Sequence, residues 1–102
     1  MEKVKITVLK RTLFDDLIEE YAVPEFSLCP LHQEGQVYYC ENGWQKPKDL
    51  CDNAWKSMME YVIAFAHGGK NFYNGSWTKD ENVAIISCND GLRPVIFKLE
   101  VV

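Results

Sequence analysis

The chain has no apolar run long enough to cross a bilayer, no Cys-x-x-Cys pair, and no Lys/Arg cluster beyond Lys3, Lys5, Lys10 and Arg11. The first absence excludes a membrane-spanning helix. The second removes the commonest zinc-ligand spacing. The third removes the electrostatic footprint of a nucleic-acid binder. Strand alternation spreads the first three cations along a solvated edge, and the net charge is −4, so nucleic acid is not an expected partner. Also missing are Gly-x-Gly-x-x-Gly, a Walker A loop, Gly-x-Ser-x-Gly and His-Glu-x-x-His. The common nucleotide and hydrolase mechanisms lose their signatures with them. Histidine is scarce, with only His32 and His67, which narrows any acid–base or metal chemistry to two imidazoles.

What is present describes one globular domain. A length of 102 residues suits a single modest core, and the supply of Tyr, Phe and Trp is far above that of a disordered chain. The start, Met-Glu-Lys-Val-Lys-Ile-Thr-Val, alternates at once and lacks the apolar centre of a signal peptide. A cytoplasmic location is the expectation, and thiols are kept reduced there. The four cysteines therefore do not imply two disulfides, and the Asn74-Gly75-Ser76 sequon carries no meaning without secretion.

Periodicity predicts the elements. Residues 3–10 alternate as a strand, with Val4, Ile6 and Val8 on one face. Thr12 opens a short helix, with Asp15 three residues on as in a capping box and Phe14, Leu17, Ile18 and Tyr21 as its apolar stripe. Residues 25–35 are a loop, 36–40 a strand, and Asn42-Gly43 a turn. A second helix runs from Asp49 or Asp52, either able to cap it, to Ala66. Trp55, Met58, Met59, Val62, Ile63 and Ala66 form its stripe, and Gly68-Gly69 follow its end. Residues 68–81 show no period and read as a binding loop or lid, or else as a crossover pinned by Phe72, Tyr73 and Trp77. Val83 to Cys88 reads as a strand buried on both faces. It pairs through the Asn89–Pro94 turn, where Gly91 supplies a positive φ, with an alternating strand over 95–101. The order β-α-β-α-β-β gives an α+β domain, with an antiparallel or mixed sheet of about four strands and two helices packed on it.

Chemistry concentrates at the cysteines. Cys29 opens a Cys-Pro-Leu-His loop, Cys51 lies in the first turn of the second helix, and Cys88 closes a strand. Thiols at element ends can meet on one rim. With His32 they offer four ligands for zinc or an iron–sulfur cluster, and three thiolates alone could hold a catalytic zinc with an open position. The competing readings are thiol chemistry and plain buried filler. At Cys51 the helix dipole favours thiolate, while Asp49 and Asp52 oppose it. Cys40 reads as filler. His67 reads as a helix C-terminal residue more readily than as a catalytic base. Asp90 and Arg93 share a hairpin tip and could bind an anion, although an Asx-turn is the commoner role of such an Asp.

Val4–Val8, Cys29-Pro30, Glu34-Gly35, Leu50-Cys51-Asp52-x-Ala54-Trp55, Gly68-Gly69 and Cys88-x-Asp90-Gly91-Leu92-Arg93-Pro94-Val95-Ile96-Phe97-Lys98 together resemble a family of small uncharacterised proteins of anaerobic bacteria and archaea. The resemblance implies a three-cysteine signature at Cys29, Cys51 and Cys88, without Cys40 and with His32 optional, and it brings no established activity. Three functions follow as expectations. The first is an accessory protein with a metal or redox site at the three cysteines. The second is a small enzyme with Cys51 as nucleophile and His32 or His67 as base. The third is an interaction module, pairing as a homodimer or with another protein, using a strand edge or the Trp77 loop.

Overall fold

Alternating apolar residues in the first and last segments make the two central strands. The computed structural model describes Met1–Val102, with β1 (Val4–Arg11), α1 (Asp15–Tyr21), β2 (Val37–Cys40), α2 (Asp52–Ala66), β3 (Val83–Ser87) and β4 (Val95–Val101). The sheet order is β2-β1-β4-β3 and every pair is antiparallel. The α+β class and element order are those the sequence predicts. The pleat sends Val4, Ile6 and Val8 of β1 and Val95, Phe97 and Leu99 of β4 to one face, where all are buried. A bulge between Val8 and Lys10 shifts the β1–β4 register, so Lys10 stands opposite Ile96.

Helix α2 lies on that face and buries Ala54, Met58, Val62, Phe65 and Ala66. Each of the larger side chains contributes about 1.5–3 kcal/mol. The buried stripe is turned slightly from the predicted one: Met59 is exposed, while Ala54 and Phe65 are covered. The helix ends as its glycines suggest, with Gly68 at φ 89° immediately after the C-cap His67.

Several local expectations give way to tertiary contacts. Thr12 does not cap α1. Its hydroxyl donates to Pro94 O (2.7 Å) and ties the end of β1 to the start of β4. Helix α1 starts after Phe14 without a side-chain cap and buries no residue. Neither Asp49 nor Asp52 caps α2. Asp49 has a left-handed backbone, Asp52 is the first helical residue and Cys51 holds the N-cap position. β3 is an edge strand buried on alternate residues only. Gly91 has no positive φ, because the Asp90 carboxylate closes that turn by accepting from the backbone N–H groups of Leu92 and Arg93.

In the 68–81 segment, Asn71, Tyr73 and Asn74 all take left-handed backbone, with φ of 61°, 56° and 55°. Each such residue costs on the order of 1–3 kcal/mol. The turn is held by Phe72, which packs edge-on against Tyr61 and Phe65 at 5.0 and 5.1 Å.

Candidate functional site

Three cysteines reach one cavity from three separate segments. Cys29 comes from the loop after α1, Cys51 from the N-cap of α2, and Cys88 from the residue just past β3. Together they line a cavity of about 130 Å³. The fold explains the meeting. The β3–β4 turn and the start of α2 lie at the same end of the sheet, and the Cys29 loop crosses over them. All four cysteines are free thiols. The Sγ of Cys88 accepts the Val95 N–H (3.2 Å) while its own N–H donates to Val95 O (2.9 Å). Cys40 stands apart, buried, with its thiol donating to Gln45 O.

His32 also borders the cavity, but its nitrogens are engaged. Nε2 accepts the Cys51 N–H at 3.3 Å, which assigns the proton of the neutral ring to Nδ1. Nδ1 faces Tyr38 Oη at 3.0 Å and Gln36 Oε1 at 3.3 Å, and the Tyr38 hydroxyl donates on to Gln36. Burial, then the charge of Asp49, raises the Tyr38 phenol above its ordinary value, so it stays a neutral donor. The ring is 1 % exposed and packs edge-on to Phe97 at 5.5 Å. In this arrangement His32 has no lone pair left for a metal or for a thiol proton. It joins the Cys29 loop to the start of α2.

Two arginines hold the same loop. Arg11 donates from Nη1 to Cys29 O (3.2 Å) and from Nε to Glu34 (3.0 Å). Arg93 donates from Nη1 to Ser27 O (3.2 Å), lies 4.5 Å over the Phe26 ring, and pairs through Nε with Asp90 (3.3 Å). Both Asp90 and Arg93 line the cavity. Sequence reasoning missed Arg11 and the cavity residues Leu31, Asn53 and Val95.

Burial alone pushes the Asp90 carboxyl up, but the N–H groups of Leu92 and Arg93 and the Arg93 guanidinium outweigh it and hold the group below its ordinary 3.8. A depressed carboxylate contributes stability that is present above the unfolded value and lost as pH falls through the folded one. The urea midpoint of the wild type should therefore drop as pH goes below 3.8. Asp90→Asn keeps the turn acceptor and loses the charge, so its midpoint should drop less over the same range. Equal acid sensitivity in both proteins would remove Asp90 from the account.

The remaining candidates lie elsewhere. His67 caps the C-terminal end of α2, ~24 Å along the helix from Cys51 at 1.5 Å per residue, which rules it out as a base for that thiol. Trp77 belongs to an aromatic group with Tyr61, Phe72 and Tyr73.

Three thiols are the donor type that zinc or an iron–sulfur cluster takes. The arrangement does not fit either as it stands. No three His, Cys, Asp or Glu side chains are placed to hold a metal ion, and the fourth donor, His32, is committed to the backbone of Cys51. No helix is long and apolar enough to cross a membrane. No family model, curated protein or solved structure matches the chain.

Proposed function

We propose that this is an accessory thiol redox protein whose working site is the Cys29–Cys51–Cys88 cavity. The observation that supports the reading is the meeting of three free thiols from three segments at one small cavity. The first attack is assigned to Cys51. Its side chain makes no capping bond, so the thiol at the N-cap of α2 is free of hydrogen bonds where it lines the cavity. The Cys51 thiolate attacks one sulfur of a small disulfide, the S–S bond breaks, and the departing thiolate takes a proton. A second cavity thiol then attacks the mixed disulfide, forms an internal S–S bond and releases the other half as thiol. The protein loses two electrons and two protons, and the disulfide gains them as two thiols.

An aromatic disulfide that colours on reduction tests this. The folded, anaerobically purified protein should release two equivalents of coloured thiol quickly, gain one internal disulfide by mass, and leave Cys40 unreacted until it is unfolded. Cys51→Ser should slow the first release at least about tenfold. Thiols that stay silent until unfolding would make the cysteines core residues and end the redox reading.

A further inference from the structure

A second concave feature lies toward the other end of α2, and the thiol chemistry does not use it. Tyr61 of α2 and Phe72 and Tyr73 of the following turn line an open cleft of about 330 Å³, with Glu60 as its one charged residue. None of these residues borders the cysteine cavity. Tyr61 and Phe72 meet edge to face at 5.0 Å, and Trp77 backs Tyr73 at 5.2 Å. The Tyr61 and Tyr73 hydroxyls share a hydrogen bond of 2.9 Å. Tyr73 is held in left-handed backbone at φ 56°, yet the residue stays 62 % exposed. A bulky residue kept in that conformation while exposed to solvent is the kind of strain that collects at ligand clamps. Glu60 takes part in none of the chain's ion pairs.

We propose that this cleft binds a small quaternary ammonium solute, with its methylated nitrogen against the rings of Tyr61, Phe72 and Tyr73 and its charge balanced by Glu60. Aromatic faces carry negative charge density and attract a cation, most strongly when it is desolvated. A quaternary nitrogen has no N–H to satisfy, so an apolar ring-lined wall suits it better than it suits a primary amine. A neutral ligand would bring no charge to Glu60, and an anion would be repelled by it. The cleft lies at the small end of the roughly 300–1,000 Å³ range of small-molecule sites, which fits a solute of choline size.

Calorimetric titration with choline and with 3,3-dimethylbutan-1-ol, which replaces the nitrogen by carbon, separates charge from shape. Choline should bind with a Kd on the order of 1 mM, and the neutral alcohol at least about tenfold more weakly. Choline should shift the ring resonances of Tyr61, Phe72 and Tyr73. Tyr73→Leu should weaken binding about tenfold. Glu60→Gln, at an exposed helix position that leaves the fold intact, should weaken it several-fold at unchanged Tm. Equal binding of the two ligands, an unchanged Kd in Glu60→Gln, or no heat and no shifts up to about 50 mM choline would each overturn the proposal.

Discussion

Replacing His32 with alanine is expected to cost about 3–5 kcal/mol of folding stability, the largest effect of any polar substitution in the chain. The ring is wholly buried against Phe97 and Tyr38, so its removal leaves a cavity. It also orphans the Cys51 N–H at the start of α2 and removes one hydrogen-bond partner each from Tyr38 and Gln36, which keep their bond to each other. An unpaired buried donor alone costs about 1–3 kcal/mol. Domains of this size have roughly 5–15 kcal/mol in total, so the variant should sit near the edge of folding, with Tm lowered by more than about 10 °C. A thermal scan beside a urea titration measures it. A loss below about 1 kcal/mol would mean that His32 is a replaceable side chain and that its hydrogen bonds do not hold the site.

Phe97→Ala is expected to cost a similar ~3–5 kcal/mol by a different route. Phe97 sits in the middle of β4, opposite Val8 of β1 on one side and Ile86 of β3 on the other. It is completely buried on the face that α2 covers. No polar group depends on it, so its cost is apolar transfer plus the void left behind. It also carries the edge-on contact to His32 at 5.5 Å. The two losses should therefore not add. The double variant should be less destabilised than the sum of the singles by about 0.5–3 kcal/mol, read from denaturant midpoints at constant m. Strict additivity would show that the His32 network stands independently of the core beneath it.

Much of this was legible in the residues. Val4, Ile6 and Val8, and Val95, Phe97 and Leu99, alternate because one sheet face is covered and the other is not. Met58, Val62 and Ala66 recur at helical spacing because they meet that face. Cys51 and Cys88 stand at element ends, and element ends on one side of a sheet come together, while Cys29 reaches them from the middle of the loop between α1 and β2. What could not be read is whatever depends on distant partners. Thr12 and Asp15 have the spacing of a capping box, but Pro94, far along the chain, competes for the Thr12 hydroxyl and wins. His32 reads as a ligand until the backbone of Cys51 occupies its free nitrogen. Arg11 carries no mark in the sequence of the bond it makes to the Cys29 loop. The left-handed turn through Tyr73 has no sequence mark, because an aromatic residue is among the last expected there.

The central claim is that three thiols from separate segments share one cavity. A trivalent aryl arsenical, which forms a stable adduct only when it bridges neighbouring thiols, tests that claim most directly. Titrated into the folded, reduced protein, it should bind one to one and remove two thiols from the free count. Cys29→Ser, Cys51→Ser and Cys88→Ser should each still leave one bridging pair, whereas any two of these changes together should abolish binding and Cys40→Ser should do nothing. Binding that survives loss of two cavity cysteines, or no stable adduct in the wild type, would contradict the convergence on which the functional reading rests.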